Sequence, residues 1–243
     1  MTLLYGIHSV LEALKASSRR VERVCVDRSQ KNARLQEIID SAREHGIPIS
    51  FEEKAWLDRK AEGRRHQGIL CCLAEVAACG LDDILQSAAR PGLLLILDGI
   101  EDPQNLGAIL RSAEVAGADG VILPRWRSAG ISPAVVRASA GAAAHMKIAR
   151  DMNLSQAIKR LKEEGYWVAG LDAGAAKPVW EADLTVPLAL VMGGEGGGLQ
   201  RLVRESCDYL VSIPVRGRVT SLNVSVTAGI ALYECLRQRL MPK

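Results

Sequence analysis

Residues 188–199 read Leu-Ala-Leu-Val-Met-Gly-Gly-Glu-Gly-Gly-Gly-Leu, an apolar run that leads directly into five glycines around one Glu. A continuous apolar run is typical of a strand that is covered on both faces. Glycines let a backbone approach a ligand closely, so the cluster first suggests a phosphate-binding loop. However, the glycines fit no G-x-G-x-x-G register and no G-K-[ST] follows them. This argues against a dinucleotide or nucleoside triphosphate site.

The same alternation of strands and helices extends along most of the chain upstream and downstream of this stretch. Further strands are predicted at 93–97, 120–123, 166–171 and 209–213, and helices at 105–116, 133–140, 154–164, 199–205 and 222–239. Repeated strand and helix units of this kind predict an α/β fold with a parallel sheet and helices on both sides. Ligands of such sheets bind beyond the carboxyl ends of the strands.

The front of the chain is predicted to be a separate, smaller α/β unit. Apolar residues have helical spacing within 7–14 and 35–42, and short strands are predicted at 21–26, 47–51 and 69–73. The pattern then loses its strands and reaches Pro91-Gly92, a turn signal. We therefore expect a small domain at 1–76, a linker at 77–90 and a second domain at 91–243.

Composition narrows the class of protein. The chain has 243 residues, 48% of them hydrophobic, and a formal net charge of +3. The longest stretch without Asp, Glu, Lys or Arg, residues 219–233, is shorter than the roughly 20 apolar residues of a membrane span. No secretory signal is evident at the start, so we expect a cytoplasmic protein with no membrane partner. The six cysteines form no C-x-x-C pair and are not spaced with the four histidines as metal ligands, so we expect free thiols and no metal.

Two other strand-to-helix junctions carry polar residues whose roles are ambiguous. Asn105 is a natural helix N-cap, and Arg111 follows nearly two turns later in an otherwise apolar helix. That Arg is either a surface residue with a buried stem or a cation aimed at a phosphate or an oxygen nucleophile. In the last junction, Ser221 or Asn223 could cap the final helix. Each junction alone is a weak signal.

Taken together, the three junctions resemble motifs 1, 2 and 3 of the SpoU branch of the SPOUT RNA methyltransferases in order, spacing and flanking strands. The matching segments are Asn-Leu-Gly-Ala-Ile-Leu-Arg-Ser-Ala at 105–113, the glycine cluster at 192–199, and Ile-Pro-Val-Arg-Gly-Arg-Val-Thr-Ser-Leu-Asn-Val-Ser-Val at 213–226. Segments 5–14 and 66–69 resemble the small RNA-binding domain of members that methylate the 2'-hydroxyl of a guanosine in 23S ribosomal RNA. The resemblance therefore covers nearly the whole chain.

The resemblance implies a parallel-sheet α/β domain with a deep trefoil knot, preceded by a small α/β RNA-binding domain. General topology rules would not predict the knot. It also implies a homodimer with the active site near the subunit interface, and S-adenosylmethionine bound largely by backbone groups of the knot's loops. Transferred by motif position, the cofactor-binding residues are Gly193, Gly196, Ile213 and Leu222.

The implied chemistry is attack of a ribose 2'-oxygen on the methyl group of the cofactor. Arg111 is the candidate for activating that oxygen. An ordinary Arg stays protonated, so orienting the oxygen and a nearby phosphate is less demanding than acting as a base. Asn105, Glu195, Ser221 and Asn223 are expected to hold Arg111, the loops and the target ribose in place.

Affinity for RNA should come from phosphate contacts, which position the substrate without reading its sequence. The candidate residues are Arg64, Arg65 and His66 in the front domain, Arg125 after a strand, and Arg216 and Arg218 in motif 3. For the groups at 64–66 and at 125, a solvated surface turn is an equal alternative.

Three other functions remain open beside methylation of 23S ribosomal RNA. The first is methylation of a ribose in transfer RNA, because the catalytic domains look alike. The second is a non-catalytic RNA-binding protein in ribosome assembly, which the presence of Asn105, Arg111, Glu195 and Asn223 disfavours. The third is a nicotinamide-dependent oxidoreductase, which would need a usable G-x-G-x-x-G and an acid about 20 residues after it, and neither is present in register. The chain also departs from the family pattern at Ala144 and Thr227, where Glu and Ala are usual.

Overall fold

The computed structural model describes residues 2–17, 21–30, 32–73, 79–194 and 196–241. Its strands form a four-stranded sheet and a six-stranded sheet. Within the described ranges, no helix is long and apolar enough to cross a membrane.

The front sheet has the strand order β1-β4-β2-β3. Its β2 and β3 are parallel, whereas β4 runs antiparallel to both β1 and β2. The elements are β1 (Thr2–Tyr5), α1 (Ile7–Ser17), β2 (Val21–Asp27), α2 (Ala33–Glu44), β3 (Ile49–Glu52), α3 (Lys54–Ala61) and β4 (Ile69–Leu73). The helices and strands predicted for this region are confirmed. The structure also contains β1 and α3, which were not predicted. Helix α3 escapes a periodicity search because only Leu57 and Ala61 of its eight residues are buried.

Helices cover both faces of the front sheet. Apolar side chains of α1 and α2, including Leu14 and Ile38, are buried on one face with Val24 and Ile69. On the other face, Leu57 of α3 packs with residues that include Cys25 and Cys72. All six cysteines of the chain are free thiols, as expected.

The second sheet has the strand order β10-β8-β9-β5-β6-β7, and every neighbouring pair is parallel. This confirms the predicted parallel sheet. Its strands are β5 (Leu93–Asp98), β6 (Gly120–Pro124), β7 (Ile148–Met152), β8 (Trp167–Leu171), β9 (Leu188–Gly193) and β10 (Tyr209–Val211). The helices are α4 (Leu81–Ser87), α5 (Pro103–Val115), α6 (Pro133–Ala138), α7 (Leu154–Glu163), α8 (Arg201–Ser206) and α9 (Val224–Leu240).

Helices lie on both faces of this sheet. Residues of α5 and α9, such as Leu110 and Leu232, are buried with Leu95 and Leu190 on one face. Residues of α4 and α7 are buried with Leu94 and other alternate strand residues on the opposite face. Such alternation is expected, because successive side chains of a strand point to opposite faces. The trefoil knot stays a prediction.

Much of the segment expected to be a linker belongs to the second sheet's packing. Leu81 and Ile84 of α4 are buried, and a Cβ on Gly120 of β6 would overlap the Ile84 side chain. Cys79 forms a parallel β-bridge with Ala149 of β7. Residues 79–90 are therefore held against this sheet, whereas 74–78 lie outside the described residues. The proposed domain boundaries stay a prediction.

Register brings the three motif junctions to one edge of the sheet. Asp98, at the end of β5, pairs with Gly193 at the end of β9, and Leu171 of β8 pairs with Met192 of β9. In parallel strands the carboxyl ends lie at the same edge, so the loops after β5, β8, β9 and β10 meet there.

Candidate active site

Two adjoining cavities open at the carboxyl edge of the second sheet. The larger, about 610 Å³, is lined by the loops after β8, β9 and β10 and by the start of α9. The smaller, about 330 Å³, is lined by the loops after β5 and β9 and by Arg127 after β6. Gly194, Gly198 and Val224 line both cavities, so the glycine loop forms the wall between them. Both volumes lie within the range of small-molecule sites.

The structure brings the four predicted cofactor-binding residues together. Gly193, Gly196, Ile213 and Leu222 all line the larger cavity, although they come from two loops about 20 residues apart. Their proximity is a property of the fold, and their part in binding a cofactor stays a prediction.

Two positions of the glycine loop have no room for a side chain. A Cβ on Gly193 would overlap the carbonyl group of Gly198 and the amide of Leu199, and a Cβ on Gly194 would overlap the carbonyl group of Gly99. The loop folds back on itself because the Gly198 amide donates to the Gly194 carbonyl at 3.1 Å. In contrast, a Cβ on Gly197 would meet nothing within 4 Å. The first two glycines therefore determine how closely this loop packs.

Backbone groups of the third junction are available to a ligand. In the described part of the chain, no backbone hydrogen bond joins residues 214–222 to another backbone group. Several of these residues, including Val215 and Leu222, line the larger cavity. Because unpaired backbone groups seek partners, this loop can offer donors and acceptors to a molecule in the cavity.

Hydrogen bonds to Asp98 connect the end of the glycine loop to the first junction. Its carboxylate is buried and accepts hydrogen bonds from the Gln200 backbone N–H at 2.7 Å and from Gln200 Nε2 at 2.8 Å. Gln200 is the residue before α8, where a backbone N–H has no helical partner. Asp98 lines the smaller cavity and was not among the predicted site residues.

Asp172 is a second acid that sequence analysis missed. It follows β8 and lines the larger cavity. Arg204 Nε donates to Asp172 Oδ2 at 2.8 Å, and this bond together with a 2.8 Å bond from the Gly174 amide lowers the pKa of the carboxyl. The cavity wall therefore carries a paired carboxylate at neutral pH.

Asn105 and Asn223 join the first and third junctions directly. Asn223 Nδ2 donates to Asn105 Oδ1 at 2.9 Å, and Asn105 is buried. Asn223 caps α9 as one alternative predicted, since its Oδ1 accepts from the Ser225 amide at 2.8 Å. The prediction that Asn105 caps α5 is wrong. That helix begins at Pro103, and Asp102 caps it by accepting from the Gln104 amide at 3.0 Å.

Of the predicted catalytic residues Ser221 and Glu195, only Ser221 lies within the described part of the structure. Ser221 is exposed in the third junction and lines the larger cavity beside Leu222. Glu195 lies outside the described residues.

Arg111 is not brought to the cavities of its own chain. Its side chain is exposed on α5, one turn before Val115, which is also exposed. It does not contribute to the described lining of either cavity. The site assembled by one chain is therefore without the predicted activating cation.

The candidate RNA-binding residues lie in different settings. Arg64 and Arg65 are exposed, and the Arg64 guanidinium lies 5.1 Å from the centre of the Tyr5 ring. Arg125, Arg216 and Arg218 are exposed in loops that follow β6 and β10.

His66 does not fit its predicted role as a phosphate ligand. It is buried, with Nε2 2.8 Å from Asp58 Oδ1, while Nδ1 accepts from the Gly68 amide at 3.1 Å. Both ring nitrogens are engaged within the protein. We therefore correct the prediction: His66 fixes the loop that presents Arg64 and Arg65.

The described residues contain no group of three or more His, Cys, Asp or Glu side chains that could hold a metal ion. The cavities are instead lined by backbone, amides, hydroxyls, apolar residues, a few carboxylates and the Arg127 side chain.

Comparisons with known proteins agree with this arrangement. Residues 92–233 match the SpoU rRNA Methylase family, and residues 3–77 match the family of RNA 2'-O ribose methyltransferase substrate-binding domains. The chain is 42% identical over 241 residues to a 23S rRNA (guanosine-2'-O-)-methyltransferase of Haemophilus influenzae, covering 98% of each protein.

Solved structures also resemble this one. The SpoU methyltransferase AviRb from Streptomyces viridochromogenes, in complex with the cofactor AdoMet, has a TM-score of 0.77 at 25% identity, over 99% of this chain and 91% of that one. A TrmH/SpoU tRNA modifying enzyme of A. aeolicus has a TM-score of 0.57 at 28% identity, over 66% of this chain and 81% of that one.

Proposed function

The chain belongs to the SpoU rRNA methylase family, and we propose that it transfers a methyl group from S-adenosylmethionine to the ribose 2'-hydroxyl of a guanosine in 23S ribosomal RNA. This proposal rests on the adjoining pair of cavities. The larger cavity has room for a cofactor, and the smaller one is lined by residues that include Asn105 and Asp98.

The larger cavity suits S-adenosylmethionine. Its glycine loop excludes a side chain at Gly193, and the loop at 214–222 offers unpaired backbone groups. Such a wall can bind adenine and ribose edges through the backbone alone, which explains why a side-chain fingerprint is hard to see in the sequence. We assign the cofactor contacts to Gly193, Gly196, Ile213 and Leu222. When bound, S-adenosylmethionine supplies an electrophilic methyl group.

The chain's own residues orient the nucleophile. The Asn105–Asn223 hydrogen bond fixes the rim between the two cavities, so that a ribose in the smaller one faces the larger one. We assign Ser221, which lines the larger cavity, and Glu195 to holding the motif loops and the target ribose in place. Alignment of this kind lowers the barrier of a displacement.

A second copy of the chain would complete this site. Helix α9 and the turn before it present Leu222, Val226, Ile230 and Tyr233 at successive helical turns, each between 38% and 50% exposed. An apolar stripe of this kind marks a protein interface. Arg111 and Val115 are exposed on α5, which packs against α9. We therefore assign the stripe to a homodimer in which Arg111 serves the partner's site.

Within such a dimer, Arg111 orients the target. This role, in which the guanidinium holds a phosphate and a 2'-oxygen together through several donors, needs no proton transfer by the side chain. It also accounts for an exposed Arg that reaches neither cavity of its own chain.

The front domain favours the ribosomal substrate over transfer RNA. The ribosomal enzyme of H. influenzae matches 98% of the chain, whereas the tRNA modifying enzyme matches 66%. Arg64, Arg65, Arg125, Arg216 and Arg218 are exposed and suited to phosphate contacts, which supply affinity for RNA. Methylation of ribosomal RNA would place the protein in the cytoplasm.

The test is transfer of labelled methyl from S-adenosylmethionine to unmodified 23S ribosomal RNA and, in parallel, to bulk transfer RNA. We expect label on the ribosomal RNA, and its loss in Arg111→Ala. Label on transfer RNA alone would refute the assigned substrate. No label on either RNA would favour a binding protein without catalytic activity.

A further inference from the structure

One exposed aromatic residue beside the site has no role in the chemistry proposed so far. Trp126 lies in the turn after β6 and is 73% exposed. Trp is usually well buried, so a side chain this exposed is unusual. Its position at the carboxyl edge of the second sheet places it on the same side as both cavities.

Two Arg residues flank this Trp in the chain. The Arg125 guanidinium lies 5.1 Å from the centre of the Trp126 ring, a cation–π contact that covers one face of the indole. Arg127 follows directly, in a left-handed conformation with φ 56°. Arg150 Nη2 lies 3.8 Å from the point where a Cβ on Gly130 would stand, just beyond the end of this turn. Arg127 Nε lies 3.6 Å from Glu101 Oε1.

The turn is anchored to the smaller cavity. Arg127 lines that cavity together with Asn105 and Asp98. The Ala129 amide donates to the Ile100 carbonyl at 2.8 Å, which ties the end of the turn to the loop after β5. Trp126 is therefore one residue away from the wall of the space assigned to the target ribose.

We infer that Trp126 is a stacking platform for an unpaired base next to the methylated nucleotide. The open face of the indole takes the base, and Arg125, Arg127 and Arg150 contact the phosphates on either side. Exposed aromatic rings flanked by Arg bind single-stranded nucleic acid in this way, and duplex RNA offers no free base face. The inference rests on the proposed function, and it specifies the substrate as an RNA loop or bulge rather than a continuous helix.

A docking site for an apolar protein segment is the competing explanation for an exposed Trp. The surroundings disfavour it, because the Arg125 guanidinium lies against the ring and Arg127 follows directly in the chain. A positive surface of this kind attracts a polyanion.

The test compares three variants in steady-state methyl transfer to a 23S ribosomal RNA fragment. Trp126→Ala should raise KM for RNA about tenfold or more with little change in kcat, since stacking holds the substrate but does not touch the reacting atoms. Trp126→Phe should restore most of the affinity. Trp167→Ala is the matched control, because Trp167 is 53% exposed at the opposite end of the same sheet, and its KM should stay unchanged.

The base that stacks is identified by removing it. RNA fragments with an abasic site at each unpaired position near the target are tested with wild type and with Trp126→Ala. At one position, the abasic fragment should raise KM in wild type by about the same factor as the variant does, with no further rise when both changes are combined. Independent effects at every position would overturn the stacking role.

The inference and the proposed function fail in different ways. A wild type that transfers methyl to RNA, with an unchanged KM in Trp126→Ala, overturns the platform and leaves the proposed function standing. A wild type that transfers methyl to no RNA overturns the proposed function. In that case, RNA binding that leaves Trp126 fluorescence unquenched would overturn the platform as well.

Discussion

Asn223, at the start of the last helix, donates a 2.9 Å hydrogen bond to Asn105, which lies 118 residues earlier in the chain. The bond connects two strand-to-helix junctions that the sequence keeps far apart. It also links the cavity assigned to the cofactor with the one assigned to the target ribose, because Asn223 lines the first and Asn105 lines the second.

The two functions of Asn223 can be separated by mutation. Asn223→Ala removes both the cap of α9 and the bond to Asn105, so we expect a loss of about 1 kcal/mol of unfolding free energy and a large loss of methyl transfer. Asn223→Ser keeps a capping oxygen but cannot reach Asn105. It should retain stability in urea unfolding while methyl transfer falls as in the Ala variant. Full activity of Asn223→Ser would show that the Asn105 contact is dispensable.

The glycine loop should tolerate a methyl group at one position and not at another. In Gly193→Ala, the new Cβ would overlap the Gly198 carbonyl, so the loop must open and the affinity for S-adenosylmethionine should fall by about tenfold or more. Gly197→Ala is the control, since its Cβ would meet nothing within 4 Å. Calorimetric titration measures both. Equal affinities in the two variants would contradict the assigned cofactor loop.

Asp172 should stabilise the fold in a pH-dependent manner. The Arg204 hydrogen bond lowers its pKa in the folded protein, so its contribution is present above the usual Asp pKa of about 3.9 and is lost as the pH falls through the lowered value. Asp172→Asn should therefore be less stable than wild type at neutral pH. The difference should be below about 1 kcal/mol, because the Arg204 side chain is 49% exposed, and it should shrink below about pH 4. Urea unfolding across this pH range measures the difference in unfolding free energy between the two proteins. A difference that grows as the pH falls would contradict the prediction.

A charge on the exposed stripe of α9 should prevent dimerisation. Ile230→Glu places a carboxylate in the middle of the proposed interface, where it would be desolvated without a partner. We expect this variant to be a monomer by light scattering at micromolar concentration, and wild type to be a dimer. Leu202→Glu is the control, because Leu202 is 61% exposed on α8, away from the stripe, and this variant should remain a dimer. A monomeric wild type would refute the interface.

Mixed dimers test whether Arg111 acts in the partner's site. Arg111→Ala and Asn223→Ala should each be nearly inactive alone. If Arg111 acts across the interface, a dimer of one chain of each contains one site with both residues intact. Mixing the two variants, with time for chains to exchange, should then restore up to about half of the wild-type activity per mixed dimer, because only one of its two sites is intact. No recovery in dimers shown to have exchanged would place Arg111 in the site of its own chain.

The apolar pattern was sufficient to predict every strand of the second sheet except the edge strand β7. The central strands are fully buried and read as continuous apolar runs, so β5 and β9 are visible in the sequence. Strand β7 mixes apolar residues with Arg150 and has no such signal. Helix α8 begins two residues later than predicted, at Arg201, because Asp98 holds the Gln200 amide in the loop.

The motifs predicted which loops meet, but register and burial decided what individual side chains do. Asp98 and Asp172 are ordinary acids at strand ends, and only the pairing of β5, β8 and β9 shows that they face the cavities. His66 was assigned to RNA because it follows two arginines, yet its ring is buried against Asp58. Neighbours in sequence do not determine which side chain faces solvent. Arg111 lines neither cavity of its own chain, so the role assigned to it requires a second chain.

The most direct test of the proposed function is to locate the transferred methyl group on the RNA. Unmodified 23S ribosomal RNA is incubated with the purified protein and S-adenosylmethionine, digested to nucleosides and fragments, and examined by mass spectrometry. We predict that wild type forms 2'-O-methylguanosine at one position, and that the Arg111→Ala variant does not form it. Methyl groups on a base, on riboses of transfer RNA alone, or on no RNA at all would contradict it.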